Sequence, residues 1–558
     1  MDCHPRRRTP SPPPPHGHVD SMARTRHRPL DRKPFVCKDY WARRSNARPR
    51  GILNPPPFVD TIELVRGRKI MGNFFAATRP HRVTTRHRAA LGASARAGHG
   101  AYLGHDARGW RFAPSEHSVM ILGPPRSGKT SSLIIPNVLA SNGPVVSTST
   151  KPDVLDATMA ARSRLGRCYL FDPTGSATRG SLVTPLRWSP LQSCRPWPGA
   201  LSMARSLVEV GALASTGHVR TEGSHWTERA QAVLAPLLHA AALDGADMRT
   251  VLTWVDRRQA LPAQQILAGE PGRSTELARN LLDGIVATDE RELSGIWSTA
   301  SGALAGFRSE QALDATSEPD FDPALFVHSS DTIYITAPAH RQALVAPMVV
   351  GLVEDLRQAA YARHAEQAHD QVAVQSPPVL LALDEVANIA PIPDLPAMVS
   401  EGGGQGVVVL ACLQDLSQAR HRWPGRADGF PSLFGTTVVL PGIGDVNTLD
   451  AFAILAGEEE LPTRAVSSGR ALTDRPVADL VSGGRPHFVE NVSTQWRRRL
   501  PVDVIAQGAD GHALAFDQRN RPSWIPLAPS FAVEPWRTLR QLELPSRQWD
   551  GPPLERGR

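Results

Sequence analysis

The chain has 558 residues, too many for one small core, and its 62 Lys and Arg against 54 Asp and Glu give a formal charge of +8. That surplus is local: residues 1–50 hold 13 basic against 4 acidic side chains and the remainder is near neutral at 49 against 50, so the basic balance is a property of the tail and is no sign that the folded body is a basic nucleic-acid platform. No stretch reaches the roughly 18 to 20 apolar residues of a membrane span and no secretory leader pattern opens the sequence, so the chain as written reads as soluble.

The opening segment, MDCHPRRRTPSPPPPHGHVDSMARTRHRPLDRK, is rich in Pro, Arg and His and reads as a disordered basic tail that can attract DNA or anionic lipid. Met22 is an alternative start. Up to about residue 112 there is little periodicity apart from FVDTIELV. From Ser118 a regular alternation begins: HSVMILG is a strand, Lys129 to Ala140 a helix, GPVVSTST a strand, Asp153 to Leu165 a helix and RCYLFD a strand. Strands alternating with helices of this length imply parallel βαβ units and an α/β sheet.

Between the first strand and helix lies GPPRSGKTSS, which fits G-x-x-x-x-G-K-[ST] with Gly123, Gly128, Lys129 and Thr130 at the fixed places. Such a loop, Gly123, Pro124, Pro125, Arg126, Ser127, Gly128, Lys129, Thr130 and Ser131, turns backbone N–H groups onto phosphate oxygens. Lys129 reaches the outer phosphates and Thr130 can ligate magnesium.

From about Pro198 to Phe307 strand signals vanish while helical spacing persists, in SMARSLVEVGAL and WTERAQAVLAPLLHAAAL, so an all-α insertion is expected with Trp226 and Trp297 as core anchors. The strand pattern resumes at DTIYIT, followed by a helix from about Arg341 to Glu366. SPPVLLALDEVANI then gives a buried strand closed by Asp384 and Glu385. Asp384 would hold magnesium through water and Glu385 would orient the attacking water, since phosphoryl transfer leaves the protein mainly positioning and charge stabilisation to supply. A helix near Leu395 to Ser400, the turn EGGGQG, the strand VVVLACLQ, the helix DLSQARHRW and the strand TTVVLPGIG follow. GEEE at Gly457 to Glu460 reads as a solvated helix end and Ala465 to Pro486 as a flexible loop. Five scattered cysteines, Cys3, Cys37, Cys168, Cys194 and Cys412, lack metal-ligand spacing and read as packing residues in a reducing cytoplasm.

The blocks GPPRSGKT, STKPDVLD with LFDPTG, TPLRW, HWTERAQAVL, LDEVANI and VVVLACLQDLSQARHRW occur in an order that resembles the type IV secretion coupling proteins, the TraG/TraD/VirD group of conjugative ATPases. The resemblance covers about residues 115 to 460, with STQWRRRLPVDVIAQGADGHAL added. It implies a RecA-like P-loop sheet interrupted by an all-α domain, in a HerA- and FtsK-like motor. The expected function is ATP- and Mg2+-dependent pumping of single-stranded DNA with its relaxase, or of a protein cargo, toward a type IV secretion channel by a homo-hexamer. By the same resemblance Gln414 senses the γ-phosphate, beside Lys129, Thr130, Asp384 and Glu385 in the roles given above. Relatives usually carry transmembrane helices before the motor and this sequence shows none, so the expected place is the cytoplasmic face of the plasma membrane, with either a split or missing anchor or a tether supplied by a partner. Some relatives also place a trans-acting arginine before the glutamine strand, where this sequence has EGGGQG; Arg420, Arg422 and Arg497 to Arg499 are the candidates. Lys151 either faces the nucleotide or caps a strand.

The expected divisions are a tail (1–50), a lead-in (51–114), two parts of the ATPase domain (115–197 and 326–460) around the all-α insertion (198–325), and a C-terminal extension completing the ATPase domain (461–558). The alternatives are a double-stranded DNA translocase of the FtsK type and a substrate receptor that does not hydrolyse ATP.

Overall fold

The computed structural model describes residues 100–106, 109–176, 183–216, 224–369, 376–471 and 485–544. The basic tail with Met22 and Cys3, the lead-in up to residue 99 and Cys37 lie outside the described residues.

A short antiparallel hairpin, β1 (Tyr102–Asp106) with β2 (Gly109–Phe112), precedes the main sheet. The sheet is built from β3 (Val119–Leu122), β4 (Val145–Ser149), β5 (Cys168–Phe171), β6 (Thr184–Pro185), β7 (Thr332–Thr336), β8 (Val379–Leu383), β9 (Val407–Leu413) and β10 (Thr436–Val439). Past the ribbon β11 (Glu458–Ala471) and β12 (Arg485–Arg498), β13 (His512–Phe516) and β14 (Pro522–Pro526) complete it. The spatial order is β14-β13-β10-β3-β9-β8-β4-β7-β5-β6; β6 through β10 pair in parallel, and β13 and β14 add antiparallel at one edge.

Strands such as VMIL and VLLAL are apolar throughout because helices cover both faces of the sheet. Met120 and Leu122 of β3 enter one apolar layer, and Val119 and Ile121 enter the other. The second layer holds α1 (Ile135–Ala140), which continues a π-helical turn over Thr130–Ile134, and α2 (Asp153–Arg162), which ends three residues before the expected Leu165.

The first layer is the helical segment: α3 (Trp197–Thr216), α4 (Ser224–Asp244), α5 (Met248–Asp256), α6 (Leu261–Gly269), α7 (Arg273–Val286), α8 (Glu290–Ala303), α9 (Glu310–Thr316) and α10 (Pro323–Phe326). Its core runs without a break through α11 (Gln342–His369) to the sheet. Trp188, fully buried, packs against Phe171 of β5 and against α11, where a Cβ at Gly351 would meet its ring at 2.9 Å. Trp297 is buried as expected, whereas Trp226 keeps 38% of its surface and lies over Gly295 of α8, so it is a partly exposed lid rather than a core anchor.

The remaining helices are short: α12 (Val386–Ile389), α13 (Leu395–Glu401), α14 (Leu416–Arg422), α15 (Phe430–Leu433), α16 (Val446–Leu455), α17 (Val502–Gln507) and α18 (Trp536–Arg540). Cys168, Cys194 and Cys412 are free and buried, in keeping with packing roles.

Two readings of the C-terminal part are corrected. Glu458 to Glu460 do not end a helix: Gly457, at φ +77, closes α16 and the three glutamates open β11 opposite Arg498, Arg497 and Trp496. Ala465–Ala471 and residues 485–486 are strand, not loop; 472–484 lie outside the described residues. The described side chains on this ribbon are exposed on both of its faces, so no apolar–polar alternation of period two marks it in the sequence.

Candidate active site

In a parallel α/β sheet, ligands bind beyond the carboxyl ends of the strands. Here β9 lies between β3 and β8, so three strand ends meet. β3 delivers the glycine loop, β8 delivers Asp384 and Glu385, and β9 delivers Gln414 between them. Residues 254 positions apart are thereby brought into contact: Thr130 Oγ1 donates to Asp384 Oδ2 at 2.6 Å.

The loop geometry explains its composition. The N–H of Gly123 donates to the carbonyl of Leu413, and a Cβ at Gly123 would sit 2.6 Å from Ser127 Oγ and 2.9 Å from Leu440, so glycine alone fits. Gly128 takes φ +95 and Arg126 φ +66, the latter a strained value for a residue with a side chain. Lys129 is buried and its Nζ donates to the carbonyls of Gly123 (2.6 Å) and Pro124 (3.0 Å), folding its charge over the loop where anionic oxygens would sit. Pro125 and Arg126 are exposed, while Pro124, Ser127, Thr130 and Ser131 are half-buried.

Burial raises the pKa of the Asp384 carboxyl; the Thr130 hydroxyl and the Lys129 charge oppose that rise. Burial, and then the neighbouring Asp384, also raise Glu385. Glu385 adopts a left-handed backbone (φ 57, ψ 43) at the start of α12, a conformation that costs a non-glycine residue roughly 1–3 kcal/mol. The turn lifts its side chain off the strand axis, and Asn388 Nδ2 holds Oε2 at 3.1 Å. Gln414 is half-buried, and its backbone N–H donates to Gln418 Oε1 at 2.9 Å.

Sequence reasoning missed three contributors. Asn388 orients Glu385, and Thr148 of β4 donates to the backbone carbonyl of Asp384 at 2.9 Å, fixing the strand end. The third is the segment after β14, where the N–H of Ser530 donates to the carbonyl of Ser131 at 2.8 Å. Motif spacing signals none of these contacts, which arise from neighbours in space.

Of the candidate arginines, Arg420 is paired with Asp428 at 2.8 Å and Arg498 with Asp450 at 2.6 Å. Arg422 is half-buried, with burial lowering the pKa of its guanidinium, while Arg497 and Arg499 are exposed. Lys151 is exposed, and its backbone N–H is turned onto Ser149 Oγ at 3.4 Å.

A phosphate loop and an acidic strand end on a mostly parallel sheet define a P-loop NTPase fold. Residues 68–440 match the family described as "Type IV secretory system Conjugative DNA transfer", and the chain belongs to that family of coupling proteins. Residues 378–506 also match "TraM recognition site of TraD and TraG". Two relatives from Escherichia coli, each named conjugal transfer protein TraG, are 25% identical over 335 residues and 23% identical over 338, covering 56% of this chain and 50% of each relative. The chain thus spans about half the length of these relatives. Among solved structures, the bacterial conjugative coupling protein TrwB in its unbound form superposes with a TM-score of 0.53 at 16% identity, over 75% of this chain and 87% of that one. TrwB in complex with a non-hydrolysable ATP analogue gives the same values. The likeness establishes a RecA-like P-loop fold. Among the described residues no helix is long and apolar enough to cross a membrane.

Proposed function

We propose that this chain binds ATP with Mg2+ at the junction of β3, β8 and β9 and hydrolyses it to move DNA with its relaxase, or a protein cargo, toward a type IV secretion channel. The observation that carries the reading is the Thr130–Asp384 contact, which joins a glycine loop to an acid-ended strand, with Glu385 beside it and Gln414 at the strand end between them. The hydroxyl of Thr130 and the carboxylate of Asp384 are hard oxygen donors of the kind Mg2+ takes, and the loop is a cradle that a Cβ at Gly123 would fill. Thr130 and Asp384 would hold the ion there, and it would supply positive charge against the phosphates.

The protein's own residues do the rest. Backbone N–H groups from Gly123 to Ser131 cradle phosphate, and Lys129 exchanges its two loop carbonyls for phosphate oxygens. Glu385, held by Asn388, orients and polarises the attacking water. Gln414 has an amide that can donate to phosphate and accept from water. TrwB bears GTP and ATP analogues in its solved complexes, which supports nucleotide binding here. In this reading the chain works as a homo-hexamer at the cytoplasmic face of the membrane, and the two matched families support relaxosome and channel proteins as its partners.

Steady-state ATP hydrolysis, with and without single- or double-stranded DNA, tests the reading. Lys129→Ala should abolish turnover, and Glu385→Gln should bind ATP yet turn it over at least a hundredfold more slowly. Wild-type turnover in Glu385→Gln would remove Glu385 from its role. Stimulation by duplex alone would favour an FtsK-type translocase, and no hydrolysis under any condition would leave either a ring that needs its membrane partner to assemble or the receptor.

A further inference from the structure

The chain after β14 returns to the glycine loop. Leu527 Cδ2 lies 3.8 Å from where a Cβ on Gly128 would be, and the N–H of Ser530 donates to the carbonyl of Ser131. Leu527 to Ser530 therefore run beside the first residues of the phosphate-loop helix, on the side where the chain leaves Lys129. In a loop of this type the lysine reaches the outer phosphates, so the sugar and base must leave the cradle at the opposite end, past Thr130 and Ser131.

The next residue is Phe531, with 58% of its surface exposed. It stands on a rigid support, because Ser530 is fully buried and its Oγ accepts from Arg540 Nη1 at 2.8 Å. The same guanidinium lies over the phenyl ring, 5.8 Å from its centroid. An exposed ring can stack a planar base, and the chain from Leu527 to Ser530 joins this ring directly to the phosphate cradle.

We propose that Phe531, backed by Arg540, is the stacking platform for the base of the nucleotide whose phosphates occupy Gly123–Ser131. The inference rests on the nucleotide-binding reading above and adds the base subsite to it. It assigns to the last part of the chain a direct role in ligand binding. Stacking on an aromatic face tolerates any base and contributes about 1–3 kcal/mol, a roughly five- to hundredfold change in affinity.

The test is calorimetric titration of the full chain with ATP and with inorganic tripolyphosphate, which carries the phosphates without sugar or base. Phe531→Ala should weaken ATP about five- to a hundredfold and leave tripolyphosphate unchanged, and Phe531→Tyr should restore ATP binding. Equal ATP affinity in wild type and Phe531→Ala overturns the platform while leaving the cradle intact. If Phe531→Ala alters self-association with ATP affinity unchanged, a second copy of the chain covers the ring and the proposal falls. If wild type binds neither ligand, the nucleotide-binding reading fails and the platform with it.

Discussion

Replacing Arg162 with Met should cost about 3 kcal/mol of stability without touching the candidate active site. Arg162 ends α2 and is fully buried, and its guanidinium gathers the amino-terminal ends of β4 and β7. Nε donates to Thr332 Oγ1 at 2.8 Å, Nη2 to the carbonyls of Gly143 and Ser330 at 2.9 Å each, and Nη1 to the carbonyl of Ser141. Methionine fills part of the volume but leaves three carbonyls without this donor. The buried one at Gly143 forfeits about 1–3 kcal/mol, while those of Ser141 and Ser330, which water can reach, forfeit about 0.5–1 kcal/mol each. Part of this is returned, because a guanidinium no longer has to be desolvated; burial lowers its pKa here. Urea unfolding followed by tryptophan fluorescence reads the change as a lower midpoint at unchanged slope. Arg162→Lys should recover only a fraction, since an ammonium cannot span four acceptors in a plane. Ligand binding to the folded variant should equal that of wild type, because the guanidinium sits at the far ends of the strands from Lys129. A loss below about 1 kcal/mol for Arg162→Met would refute the claim that this side chain pins β4 to β7.

Asp355 makes stability depend on pH in a defined direction. Its carboxyl is buried beneath Trp188, whose Nε1 donates to Oδ2 at 2.8 Å, and burial pushes its pKa up from 3.8 to about 7. A raised carboxyl pKa contributes stability that is fully present below pH 4 and is lost as pH climbs through 7. Asp355→Asn, which mimics the protonated form, should therefore be more stable than wild type at pH 8, by up to about 4 kcal/mol, with the difference vanishing near pH 4. Denaturation midpoints across that range decide it, and an equal midpoint at pH 8 would contradict the shift. The EGGGQG turn gives an internally controlled pair. A Cβ on Gly403 would lie 1.9 Å from the carbonyl oxygen of Glu116, whereas Gly404 has nothing within 4 Å. Gly403→Ala should destabilise by roughly 1–3 kcal/mol and Gly404→Ala by less than about 0.5 kcal/mol, by the same unfolding assay.

The sequence by itself determined the elements whose chemistry is local. Glycines at Gly123 and Gly128 with Lys129 and Thr130 after an apolar run, and an apolar run ending in Asp384 and Glu385, are legible because each motif is a few consecutive residues on one turn or strand end. The α/β class was legible for the same reason, through short continuous apolar runs alternating with helically spaced segments. Strand order belongs to the tertiary structure, and it is what places β9, and with it Gln414, between the other two strand ends. Asn388, Thr148, Arg162 and the return of Leu527–Phe531 to the loop became visible only in three dimensions, because each contact is chosen by which neighbour occupies the space. The β11–β12 ribbon escaped sequence reasoning for the converse reason. Exposed on both faces, its described side chains leave no periodic apolar mark, and backbone pairing between residues as far apart as Glu458 and Arg498 alone defines it.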